Sequence, residues 1–173
     1  MSAHECVSCG KPKANLNCEI CQEPVCKKCE QLLEPKTFSF LPKIPEELTH
    51  LHYCGGCYDS VVAPELDSYQ AIMEKAKQVF VFFTTQKKPP PITRKDRELL
   101  KVEDCDDRDE TILRLAFLAA MKDFNAIIDV EVKQEKIRKG AYQTSRWSGT
   151  GHPAMVNGDH VELQDKRDRI FGY

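Results

Sequence analysis

No stretch of this sequence is long and apolar enough to cross a bilayer as a helix. Its most apolar segments, Val79 to Phe83 and Ile112 to Met121, are too short or too interrupted. Charge of one sign is also missing: 25 Lys and Arg stand against 27 Asp and Glu, a formal net charge of -2. That balance gives no sign of a dominant basic surface for nucleic acid or anionic membrane, and leaves room only for local patches. There is no Ser/His/Asp set, glycine-rich phosphate loop, His-Glu-x-x-His helix or pair of catalytic carboxylates to be read, so the expectation is a protein that is not an enzyme. Met1 to Glu5 lack the positive stretch and apolar run of a secretory signal, which points to a reducing, cytoplasmic setting. With 173 residues, 41% of them hydrophobic, the chain can bury an ordinary core as one domain or two small ones.

What the chain has in excess is cysteine. Eight of its nine cysteines form the pairs Cys6/Cys9, Cys18/Cys21, Cys26/Cys29 and Cys54/Cys57, and Cys105 stands alone. In a reducing compartment such crowding reads as metal ligation rather than disulfides. Each Cys-x-x-Cys turn can aim two sulfurs at one ion, and zinc takes four thiolates tetrahedrally at about 2.3 Å. Eight sulfurs therefore predict two closed, structural Zn2+ sites with no position left for water or substrate. The gap of four residues between Cys21 and Cys26 is short for two neighbouring pairs to share one tetrahedron. An interleaved arrangement relieves this, with Cys6, Cys9, Cys26 and Cys29 on one ion and Cys18, Cys21, Cys54 and Cys57 on the other.

The order of these pairs, the four-residue gap and the ending Tyr53-Cys54-Gly55-Gly56-Cys57-Tyr58-Asp59 resemble the FYVE-type zinc finger over residues 6 to 62. The resemblance implies a treble-clef, cross-brace finger. FYVE fingers of endosomal proteins bind phosphatidylinositol 3-phosphate through a basic, His-containing motif at the third cysteine, an upstream Trp-x-x-Asp and an Arg before the seventh cysteine. Here the first of these regions reads Ala14-Asn15-Leu16-Asn17-Cys18, only Met1 to Glu5 lies upstream, and His52-Tyr53 precedes Cys54, so the lipid-reading residues are absent. Charge agrees: the segment up to Val62 has six Lys/Arg and eight Asp/Glu, and two zinc ions on eight thiolates would bring it to about -6. Such a surface repels anionic lipid and phosphate unless its charges are segregated, for example through Lys11, Lys13, Lys27, Lys28 and Lys36. The eight cysteines also fit RING-type fingers, which position ubiquitin-conjugating enzymes; these usually place a histidine among the ligands, whereas His50 and His52 here precede the fourth pair.

Beyond the cysteines, Glu34 to Leu51 reads as a Pro-rich polar loop, with a helical turn over Glu46 to His50 or a strand around Thr37 to Leu41, and with little reason to stay ordered without metal. Pro64 suits the first turn of a helix running to Lys77, with Leu66, Tyr69, Ile72, Met73 and Ala76 at helical spacing. Val79 to Thr85 predicts a strand, ended by Lys87-Lys88-Pro89-Pro90-Pro91, which is also a candidate polyproline recognition segment. Glu98 to Val102 predicts a second strand. Asp104 to Asp109 then start a helix reaching about Phe124 with an apolar face of Ile112, Leu115, Phe117, Leu118, Met121 and Phe124. Ala126 to Val132 predicts a strand with Ile128, Val130 and Val132 on its buried face, paired with Gly140 to Trp147 across a hairpin over Lys133 to Lys139. From Gly149 onward Gly, Pro, Asn and charge prevail, so a loose tail is expected, with Val161 and Leu163 marking at most a short edge strand. Phe124 to Val132 and Ala141-Tyr142-Gln143-Thr144 are similar to a helix end, a following strand and a final strand of small bacterial proteins of the YbjQ type. That likeness implies an α+β fold, ring-like oligomers and a bacterial source.

The remaining chemistry-bearing residues read plainly. Cys105 beside Glu103, Asp104, Asp106 and Asp107 has no cationic partner in sequence and is expected to pack. The acids from Glu103 to Glu110 lack the spaced oxygens and central Gly of a calcium loop. Trp147 is read as core or a subunit contact before a partner anchor, and His152 and His160 have no nearby ligand. The expected architecture is α+β: residues 1–62 a double zinc finger, 63–78 a helical connector, 79–153 a compact domain of about four strands and one main helix that can oligomerise, and 154–173 a flexible polar tail. The expected role is a zinc-stabilised, non-enzymatic adaptor for a protein partner. A phosphoinositide- or membrane-binding finger, a RING-like ubiquitin-ligase module and an uncharacterised enzyme stand as alternatives.

Overall fold

A computed structural model of the protein describes residues 5–12, 14–86, 88 and 90–162. It has two compact units, Met1–Ala71 and Ile72–Tyr173. Among the described residues no helix is long and apolar enough to cross a membrane.

The first unit is built from very short elements. Two miniature antiparallel ladders, β1 (Leu16–Asn17) with β2 (Pro24–Val25) and β3 (Gln31–Leu32) with β4 (His52–Tyr53), are followed by the helical residues of α1 (Gly55–Cys57), a wider turn over Tyr58–Val62, and α2 (Ala63–Lys77). The Pro-rich loop is less bare than its composition suggests. Thr37 to Leu41 forms turns rather than a strand, and Glu46–Leu48 forms a single 3₁₀ turn. Phe38 and Leu48 are buried, as are Leu33, Tyr53 and Val62. Phe38 meets Tyr69 of α2 edge to face with centroids 5.2 Å apart, and the Tyr53 hydroxyl donates to the Glu47 carbonyl at 2.8 Å. This aromatic group explains why the unit reaches Ala71 rather than ending at residue 62: the first half of α2 completes its core.

The second unit combines one sheet with one main helix. Five strands, β5 (Phe80–Phe83), β6 (Ile92–Lys95), β7 (Leu100–Cys105), β8 (Ala126–Lys139) and β9 (Tyr142–Val156), surround the long antiparallel β8–β9 pair. β5 lies parallel to β8, while β6 and β7 pair antiparallel with successive stretches of β9. β6 escapes sequence reading because all four of its residues are exposed and three are polar. α3 (Arg108–Met121) covers one face of the sheet. Its Asp107 cap accepts from the Glu110 amide at 2.7 Å, and Glu110 accepts in return from the Asp106 amide. Its end is a Schellman turn: Asp123, at φ +58°, and Phe124 donate to the carbonyls of Ala120 and Ala119. The helix therefore stops at Met121, which is 40% exposed, while Phe124 returns to the core.

Two differences from the expected sheet share one origin. Strict alternation along β8 would put Ile128 and Val130 on the same face, but Asp129 takes φ +54° and the register slips between Ile128 and Glu131. The bulge sends Ile128 to a cluster with Ala126, Ala154, Val156, Phe80 and Phe82. Ile127 and Val130 instead meet Gly151 on the face beneath α3. Gly149 and Gly151, which read as loop, lie in the middle of β9. A Cβ at Gly149 would sit 2.7 Å from Thr111 Cγ2, and one at Gly151 would sit 2.6 Å from Ile127 Cγ2. Their small size lets helix and sheet close together, so residues 149–156 are core strand rather than tail. Residues 158–162 form a helical turn that buries Val161 against the Ile128 cluster. The rest of the expected tail, with Leu163, lies outside the described residues.

Candidate metal centre

The eight paired cysteines gather into two groups of four. Cys6, Cys9, Cys26 and Cys29 form one and Cys18, Cys21, Cys54 and Cys57 the other, with the sulfurs of each group all within 4.8 Å of one another. The chain thus crosses between the groups, first pair with third and second with fourth. All nine cysteines are free thiols. β1 and β2 hold the second pair beside the third, the register Leu16↔Val25 fixing the turn between them. β4 places Cys54 directly before α1, and the Cys54 sulfur caps that turn by accepting from the Cys57 amide at 3.4 Å.

The geometry suits a cation bound by four sulfurs. A tetrahedron with metal–sulfur bonds of about 2.3 Å has edges of about 3.8 Å. Cys9 Sγ lies 3.9 Å from Cys26 Sγ, and Cys21 Sγ lies 3.8 Å from Cys54 Sγ. Backbone amides aim at the sulfurs, as where Cys26 N–H donates to Cys6 Sγ at 3.3 Å. That contact holds the Cys6 thiol down to about 6. Burial opposes ionisation of Cys18, but the amides of Cys21, Cys54 and Ile20 outweigh it and bring that thiol also to about 6. The Lys28 amide lowers Cys26. The neighbours of these sulfurs respond the other way. Hydrogen bonding with Cys9 and Cys26 pushes Cys29 up to about 12, and burial raises Cys21 and Cys57. Each group can carry some negative charge alone, but only a cation lets all four sulfurs ionise together.

Around the sulfurs lies a small apolar shell of Val25, Ala14, Leu16 and Ile20. Two histidines that sequence spacing leaves without a role sit just outside it. His52 Nδ1 meets the Glu30 carboxylate, and His50 Nδ1 lies 3.4 Å from Glu19, whose carboxylate also accepts from the Leu51 amide at 2.8 Å. These pairs tie the β4 segment to the second and third cysteine pairs. They join residues distant in sequence, so nothing in local spacing announces them.

The other candidate residues stay apart from the tetrads. Cys105 is fully buried, its thiol donates to the Glu103 carbonyl at 3.7 Å, and burial pushes its pKa up. Among the acids from Glu103 to Glu110, Asp107 and Glu110 serve the cap of α3, and Glu110 also pairs with Arg114 at 2.8 Å. Trp147 is half-buried in β9 opposite Gln134 and Cys105. His152 Nδ1 lies 3.1 Å from the Glu98 carbonyl, and His160 sits in the turn over 158–162. Lys11, Lys27, Lys28 and Lys36 are exposed; Lys13, Lys87 and Pro89 lie outside the described residues. No family model matches the chain, and no curated protein or solved structure matches it.

Proposed function

We propose that the first unit is a FYVE-type cross-brace finger folded around two structural Zn2+ ions, and that it serves as a non-enzymatic protein-interaction module of a cytoplasmic, bacterial adaptor. The observation that carries this reading is the pair of interleaved sulfur groups with separations of 3.8 and 3.9 Å, the edge length of a zinc–thiolate tetrahedron. Four sulfurs fill the coordination sphere, so the ions supply folding energy and no Lewis-acid step.

A protein-facing role is supported by Leu32 and Leu51, which are 60% and 41% exposed. They are held near each other because the Leu33 amide donates to the Leu51 carbonyl at 3.2 Å. The second unit, similar in sequence to YbjQ-type proteins, would multiply weak contacts by assembling several fingers.

Metal analysis of natively purified protein tests the first part: two zinc ions per chain are expected, falling to one in Cys26→Ser or Cys54→Ser. Protein purified natively with no metal would end the reading. Light scattering tests assembly, which a strict monomer would defeat. Co-sedimentation with phosphoinositide vesicles and ubiquitin transfer with a panel of conjugating enzymes should both be negative; a positive result in either replaces the adaptor with that activity.

A further inference from the structure

The β8–β9 hairpin outgrows its sheet. Pairing of β5 with β8 ends at Val130, and pairing of β7 with β9 ends at Trp147. Beyond those points β8 and β9 continue to pair only with each other among the described residues, from Glu135↔Arg146 to Lys139↔Tyr142. The two-residue turn Gly140-Ala141 closes this ribbon, with Gly140 at φ +64° supplying the positive-φ position such turns require. Five residues of β8 at about 3.3 Å each give an arm of roughly 17 Å. Glu135, Lys136 and Arg138 are exposed along it, Lys133 and Gln134 are exposed at its base, and Tyr142 at the tip is 84% exposed.

The composition of the arm departs from that of the chain. Residues 133–146, the arm with its base, hold five cations, Lys133, Lys136, Arg138, Lys139 and Arg146, against the single acid Glu135, although the whole protein is net -2. Lys136 and Arg138 alternate with Lys133 and Glu135 along β8, so cations stand on both faces. Arg146 is held at the base by Asp106 at 3.3 Å, and Lys133 lies 3.8 Å from Glu131 where both are exposed. A second copy is a poor occupant of the free β8 edge. Antiparallel pairing of two such edges about Lys136 would set lysine against lysine, which is unfavourable.

From this basic, solvent-exposed two-stranded ribbon we infer that the arm binds double-stranded DNA, entering the major groove with its cations against the flanking phosphates. The fit is one of width and charge. Strands about 4.8 Å apart with side chains on both faces match a groove about 12 Å wide that admits a two-stranded ribbon. Duplex RNA, whose major groove is deep and narrow, does not offer that entry. The contacts are mainly to phosphate, so binding tolerates sequence and weakens steeply with salt.

The test is fluorescence anisotropy of a labelled duplex DNA of about two helical turns titrated with the zinc-loaded full chain, starting near 50 mM salt. Saturable binding is expected, with log K against log salt falling at a slope of about -3, as for three or four phosphate contacts. K136E/R138E should lose at least about tenfold in affinity and flatten that slope by about two. K36E/K43E, at exposed positions of the first unit away from the cysteine pairs, should leave both unchanged, and the milder K136Q/R138Q reports the same loss should charge reversal disturb folding. Tyr142→Ser should weaken binding without changing the slope. Absence of binding at low salt, binding by K136E/R138E and K136Q/R138Q equal to that of the unaltered chain, or an equal loss in K36E/K43E overturns the inference. Tighter binding to duplex RNA or to phosphatidylserine vesicles than to DNA overturns the assignment of the ligand.

Discussion

The two units bury different material. In the first, the buried residues include Cys6, Cys18 and Cys54 with a few aromatic and aliphatic side chains, and its ladders are two residues long. In the second, Leu115, Phe117, Ile127, Val130 and the Ile128 cluster fill both faces of a continuous sheet. A short polar segment cannot remove enough apolar surface from water to offset the entropy of ordering its loops, so it needs cross-links. The sheet needs none, and its single cysteine packs as an ordinary small apolar side chain. The aromatic group around Phe38 qualifies the contrast, because it gives the first unit a core that does not depend on sulfur.

The sharpest way to break this comparison is to remove the metal. Treating the reduced protein with a strong chelator should unfold the first unit if the proposed ions are structural zinc, which contributes on the order of 10 kcal/mol to folding. Trp147 lies in the second unit and its fluorescence should hardly change. Hydrogen exchange resolved by region would read both outcomes, and persistent protection of residues 14–54 without metal would erase the distinction. Acid should act in the same direction. Protons compete with the cation for the thiolates, and the most acidic thiols, Cys6 and Cys18, ionise at about 6. Metal loading should therefore weaken as pH falls, with proton release on binding measurable in buffers of different ionisation enthalpy.

Phe38→Ala asks how much of the first unit rests on its aromatic group. Truncating this buried ring should cost about 3–5 kcal/mol, seen as loss of first-unit protection with the second unit unchanged. An effect below about 1 kcal/mol would leave sulfur as the sole organiser. In the second unit, Gly149→Ala and Gly151→Ala should each destabilise by about 1–3 kcal/mol in denaturant titrations, because the added methyl group meets Thr111 or Ile127. Both variants should keep the metal content of the unaltered chain. The smallest effect is expected from Asp107→Ala, which removes the cap of α3 and should cost about 1 kcal/mol.

Much of this was legible in the chain. The two ends of α2, the cap acids of α3 and the apolar cores of β5 and β8 follow from local spacing and composition. The four-residue gap between Cys21 and Cys26 already argues for interleaving. What escaped reading depended on partners far away in sequence. β6 is a strand only because β9 offers it hydrogen bonds, and Asn125, beyond the end of α3, is fixed by exchanging two 2.9 Å hydrogen bonds with Val156. Phe38 looks like a loop residue until Tyr69 is placed against it.

The sequence by itself determined which residues can ligate a metal and roughly where the two long helices start, because these depend on side-chain type and on spacing within a turn or two. Only the tertiary structure decided that Gly149 and Gly151 belong to the core, that Asp129 exchanges the faces of β8, and that a basic arm projects from a chain of nearly balanced charge. Each of those depends on what approaches from elsewhere in the fold: a helix closing over two glycines, a register slipping by one residue, and neighbouring strands that stop before the hairpin does.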